Sequence, residues 1–187
     1  MISDAMNAGV SRGGLQSRTE IRVLICYILY NLKEPIDIER LKERLHFEGI
    51  ANYFEIAFAI GDLEENGNIK VEFEENGRKF YGPSGDCDNI VSALGNTVPF
   101  TIRERSLDIA DQIVSRRRNE RGNKVDIEKI EQGFYVTCTV MEKDAQLVSV
   151  KLLVPDEESA LIVKENFLNN PMLVLLNATN GLLGTKI

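Results

Sequence analysis

The sequence predicts an α+β protein in two parts: three helices closed by a hairpin, then a small antiparallel α+β domain. Three observations predict it. Residues 18–67 hold three runs with helical apolar spacing, each introduced by a side chain that can cap a helix. The stretch NGNIKVEFEENGRKFYG, residues 66–82, alternates Ile69, Val71 and Phe73 against Lys70, Glu72 and Glu74. It then turns at Glu75-Asn76-Gly77 and ends in Phe80 and Tyr81. Residues 122–154 return to a period of two and lead into a helical segment that Asp156 can cap.

Taken in order, Ser17 and Glu20 form an S-x-x-E capping box, and Ile21, Leu24, Ile25, Ile28, Leu29 and Leu32 recur at helical spacing up to Pro35. Asp37 can cap a second helix that buries Ile38, Leu41 and Leu45 and ends at Gly49. Asn52 can cap a third, with Ile56, Ile60 and Leu63 on the face that Tyr53 begins and Gly67 as its stop. This placement turns Glu55, Ala59, Asp62 and Asn66 outward. The hairpin follows at once. A two-stranded hairpin is marginal alone in water, so its apolar arm is expected to cover the core that three short helices leave open. Helix, helix, helix and hairpin in about 65 residues is the winged helix-turn-helix plan.

Beyond Pro83 the sequence reads as a short helical piece, then a helix introduced by a capping box at Thr101 and Glu104 and carrying Ile102, Leu107, Ile109, Ala110, Ile113 and Val114 to a stop near Gly122. Three strand-like segments follow: KVDIEKIEQG, then FYVTCTVME, then QLVSVKLLVP across a turn at Lys143-Asp144-Ala145. The helix EESALIVKENFLNN comes next, and periodicity leaves residues 171–187 open between strand and helix. The expected boundaries are a flexible arm at 1–17, the winged helix-turn-helix at 18–84, linking helices at 85–121 and the α+β domain at 122–187.

Composition narrows the function. The chain has 187 residues, is 43% apolar and carries a net charge of −7, which supports a real core and disfavours loose polyanion binding. Neither half is a basic module, with 10 basic and 14 acidic residues before Pro83 and 12 and 15 after it. No run approaches the length of a membrane span and residues 1–20 lack the apolar block of a signal peptide, so a cytoplasmic protein without a membrane is expected. Cys26, Cys87 and Cys138 are far apart and outside any metal-ligand spacing, which suits buried free thiols.

The pattern IRVLICYILYNLKEPIDIERLKERLHFEGIANYFEIAFAIGDLEENGNI, followed by an aromatic-ended wing, resembles the winged-helix domains of bacterial transcriptional regulators of the PadR and MarR type. LVSVKLLVPDEESALIVKENFLNNP is similar to the strand-then-helix ending of a bacterial winged-helix family catalogued as a domain of unknown function and described as a transcriptional regulator. The resemblance spans residues 18–180 and rests on hydrophobic patterns; Phe167 stands where that family has Trp. It implies an uncharacterised family of DNA-binding proteins active in transcription regulation.

On that reading the third helix enters the major groove of double-stranded DNA and the wing touches the backbone. Asn52, Tyr53 and Glu55 are the candidates for base contact, because no Arg or Lys lies between Asn52 and Asn66. Arg40, Lys42 and Arg44 on the second helix and Lys70, Arg78 and Lys79 on the wing are the candidate phosphate anchors, with Arg12 and Arg18 in the arm. The run RRRNER places Arg116, Arg117, Arg118 and Arg121 at a helix C-terminus, where the macrodipole favours cations. There they would contact flanking DNA or a second subunit. The helix from Thr101 to Arg118 is the expected homodimer element, from its long apolar stripe.

The alternative is a winged-helix module for protein–protein contact, with Glu55 and Asp62 on an acidic contact face and no DNA binding. Catalysis has little to stand on. His46 is the single histidine, no phosphate-binding loop occurs and no metal-ligating cluster is spaced for use, so the chain reads as a non-enzyme without cofactors. A small apolar effector could sit among Val136, Cys138, Val150, Leu152 and Phe167, although these residues also suit a plain domain core.

Overall fold

The computed structural model describes residues 14–32 and 34–184. The order is α1 (Arg18–Asn31), β1 (Ile36–Asp37), α2 (Ile38–Phe47), α3 (Tyr53–Glu65), β2 (Ile69–Glu75), β3 (Arg78–Pro83), α4 (Cys87–Leu94), a 3₁₀ turn (Gly95–Thr97) and α5 (Phe100–Gly122). Then come β4 (Lys124–Ile130), β5 (Gly133–Glu142), β6 (Ala145–Val154), α6 (Glu157–Asn169) and α7 (Pro171–Leu183). Two compact units divide between Val114 and Ser115, within α5.

In the first unit α1, α2 and α3 are accompanied by an antiparallel sheet in the order β1-β3-β2, whose strand β1 comes between α1 and α2 in the chain. Asp37 caps α2 by accepting from the amides of Glu39 and Arg40, and Asn52 caps α3 by accepting from that of Phe54. Ser17 stands before α1 in extended conformation, but its side chain makes no capping bond. The hairpin turns through Asn76 (φ 52°) and Gly77 (φ 74°), the two positive φ angles of a tight type I′ turn. Ile69 and Tyr81 are buried in the core that holds Ile21, Leu24, Ile25, Ile28, Leu41 and Ile56, so the hairpin covers it, while Phe80 stacks on Phe73.

Three expectations change here. The end of the arm is held, since the amide of Leu15 donates to the carbonyl of Ile50 at 2.8 Å and the Leu15 side chain is buried; Arg12 and residues 1–13 lie outside the described residues. Helix α5 starts at Phe100, one residue before Thr101, with the amide of Ile102 bonded to the carbonyl of Pro99. Its apolar stripe is not free for a dimer: Ile102, Ile109, Ala110, Ile113 and Val114 are buried in the core of the first unit, which also takes in Cys87 and Val98.

In the second unit β4, β5 and β6 form an antiparallel sheet with β5 in the centre. Val136, Cys138 and Val140 of β5 pack with Ala160, Phe167 and Leu168 of α6. Residues 171–183 are a helix, capped by Asn170 through the amide of Leu173 with Pro171 in the first turn. Three of the five positions expected to enclose an effector, Val136, Cys138 and Phe167, are filled core. Val150 and Leu152 lie on the edge strand and keep substantial exposure.

Candidate nucleic-acid interface

Helix α3 has the sequence YFEIAFAIGDLEE and is apolar almost all round, so packing decides which arc faces out. It packs on both α1 and α2. That widens its buried arc to Glu55, Ile56, Ala59, Ile60 and Leu63 and leaves Phe54 and Phe58 exposed at 67% and 54%. Phe47, at the end of α2, is 84% exposed. Glu55 therefore does not face outward. Its carboxylate accepts from Arg18 Nε at 3.1 Å, and the Arg18 guanidinium lies 4.8 Å from the Phe58 ring centroid. The hydrogen bond to Glu55 raises the Arg18 pKa, with burial opposing it. Asp62 is half-buried and pairs with Arg22 at 3.5 Å. Both acidic side chains expected to repel phosphate are thus matched by arginines of α1.

The Asn52 side chain is buried and serves as the cap, leaving Tyr53 as the half-exposed member of the three expected base-contacting residues. Tyr53 sits edge-on to His46, whose Nδ1 lies 3.4 Å from the carbonyl oxygen of Ala51. Residues Glu43, Arg44, His46, Phe47 and Tyr53 line an open hollow of about 600 Å³ beside the start of α3.

Five of the expected phosphate anchors, Arg40, Lys42, Arg44, Lys70 and Arg78, are paired with carboxylates in the same unit. Arg40 and Arg78 both reach Asp37, at 3.9 and 3.6 Å. Lys42 is buried against Glu39 with its ammonium 4.9 Å from the Tyr53 ring centroid. Burial alone pushes the Lys42 pKa down, but the bonds to Glu39 and Tyr53 outweigh it and the pKa is raised. Arg44 pairs with Glu48 at 3.6 Å and bonds Gln112, and Lys70 pairs with Glu72 at 3.3 Å. Lys79 is exposed on β3.

The basic run of α5 divides by burial. Arg116 is largely buried and holds Glu120, Glu165 and Asn169 at 2.8 to 3.0 Å, so it anchors α6. Arg118 and Arg121 are exposed and Arg117 is half-buried. Among the described residues, no cluster of three or more His, Cys, Asp or Glu could hold a metal, and no helix is long and apolar enough to cross a membrane. Cys26, Cys87 and Cys138 are buried free thiols.

The aromatic face of α3 is what the sequence reading missed. Phe54 and Phe58 stand four residues apart, the spacing that puts two side chains on one helix face, and that was its signal.

Residues 21–180 match the model of one family, Domain of unknown function (DUF4364), and the chain belongs to that family. No curated protein and no solved structure matches it.

Proposed function

We propose that this member of the DUF4364 family is a DNA-binding transcriptional regulator that works as a homodimer, presenting α3 to the major groove and the wing to the phosphate backbone. The observation that carries the reading is the neutralised flank of α3, with Glu55 held by Arg18 and Asp62 by Arg22, on a helix-turn-helix closed by a wing. Tyr53 and Phe54 then stand at the helix start where base edges are reached, and apolar contact there suits a thymine methyl. Lys79, Arg78 and Arg44 supply the phosphate contacts on this reading. A pair as open as Arg44–Glu48 is worth about 0–1 kcal/mol, so Arg44 can exchange its carboxylate for a phosphate at little cost, and the buried Asp37 keeps Arg40 when Arg78 turns to a phosphate.

A second reading is supported by Phe47, Phe54 and Phe58, which together give a protein partner an aromatic contact surface, in place of the acidic one expected from sequence. The two readings separate in one experiment. Fluorescence anisotropy against a pool of short genomic duplexes, including the region upstream of the gene, is run at about 50 and 200 mM salt. Selective binding that falls steeply with salt supports the regulator. A folded protein that binds no duplex at the lower salt sends the assignment to the protein-contact module.

A further inference from the structure

We infer that the free edge of β6 is the homodimer interface, where it pairs antiparallel with β6 of a second copy to join two three-stranded sheets into one of six. The argument stands on the second unit alone and does not depend on DNA binding. β6 is an edge strand of ten residues, AQLVSVKLLV, with no proline and a single charge. Edges of this length are usually guarded by outward charges or proline. Here the guard is withdrawn: Lys151 turns back over the outer face of its own sheet, its ammonium 4.1 Å from the Tyr135 ring centroid and 3.5 Å from Glu128.

The side chains fit a two-fold axis at one register. Val148, Val150 and Leu152 pair with Val140, Cys138 and Val136 and so share the helix-covered face, while Ser149 and Lys151 pair with Thr139 and Thr137 on the other. An axis at Val150 sets Val148 against Leu152 of the copy and Ser149 against Lys151 of the copy. Moving the axis to Lys151 would oppose two ammonium groups; moving it to Ser149 would oppose Leu152 to Gln146. The Val150 register separates the two ammonium groups and keeps Val148, Val150 and Leu152 in apolar pairs, which moves the one mismatch, Gln146 against Val154, out to the strand ends. Helix α7, which packs on β5 and β6, adds Met172, Leu173 and Leu176, each at least half exposed, so a partner there would also cover aliphatic surface.

The test is the oligomeric state of the full chain without DNA, by light scattering on a sizing column and by sedimentation equilibrium, for the wild type and a charge-swap pair. Ser149→Lys and Ser149→Glu lose the same bond to Thr139 (3.0 Å), and thermal denaturation of each at high dilution measures the effect of the new charge on Lys151 of its own strand. They differ in the charge offered to Lys151 of the copy. The expected result is a wild-type dimer, a Ser149→Glu dimer, and a Ser149→Lys protein that is folded by circular dichroism and dissociates at least tenfold more readily. A monomeric wild type at tens of micromolar overturns the inference, and so does a dimer equally stable in both variants. DNA binding is scored separately, so loss of the regulator reading leaves these outcomes readable.

Discussion

Arg18 donates to the buried carboxylate of Glu55 across 3.1 Å, joining the first helix to the helix that would read DNA. Glu55 is therefore a packing residue of the helix pair. Reversing it to Lys would set two cations together at a largely buried position. The expected outcome is a lower Tm for Glu55→Lys than for Glu55→Gln, with partial recovery in the Arg18→Glu/Glu55→Lys double variant, read by thermal denaturation.

Binding variants divide the two functional readings. Arg78→Glu with Lys79→Glu should weaken binding to every duplex by at least about tenfold and flatten the salt dependence, because phosphate contacts carry no sequence information. Phe54→Ser with Phe58→Ser should leave non-specific, low-salt binding in place and change sequence preference. If that pair alters no duplex affinity but abolishes capture of a protein partner, the aromatic face serves the second reading.

Tyr81 gives a pH signature. Burial, then its 3.0 Å hydrogen bond to Glu64, pushes the phenol up to about 12 from an ordinary value of 10. Its contribution to stability is full below pH 10 and is lost as pH rises from 10 towards 12, because the folded state holds the proton longer. Denaturation curves across that window should show a decline that Tyr81→Phe reduces.

Gly133 opens β5 at φ 134°, and a Cβ there would run into the carbonyl oxygen of Val154 on β6. Gly133→Ala should cost more than about 2 kcal/mol in chemical denaturation, as a strained φ and a backbone clash act together. Ala substitution at Gly122, where an added Cβ meets nothing within 4 Å, is the control and should be near neutral.

What could be read from sequence followed from how local each signal is. The caps at Asp37, Asn52 and Asp156 and the Asn76-Gly77 turn are settled by two to four neighbouring residues, and the structure has all of them. The orientation of α3 is not local. Ile56, Ile60 and Leu63 mark one apolar arc, Phe54 and Phe58 another, and only packing on both α1 and α2 selects the first. The stripe on α5 failed in the same way, because an apolar face announces burial without naming its cover. Residues 171–183 were ambiguous because PMLVLLNATNGLL has apolar residues on several sides; the capping Asn170 and Pro171 were the readable start signals.

Helix α5 is unbroken from Phe100 to Gly122, yet the boundary between the two compact units falls inside it, after Val114. Each residue of an α-helix turns the chain by about 100° and advances it about 1.5 Å. Arg116 and Asn119, which hold α6, both lie beyond that boundary and three residues apart on one face of α5, so a one-residue insertion between them would turn one of the two grips away from α6. The four residues from Arg116 to Asn119 are therefore fixed in length by the helix they grip. Recombination that exchanged the second unit among relatives would keep this grip whole only with a crossover before Arg116.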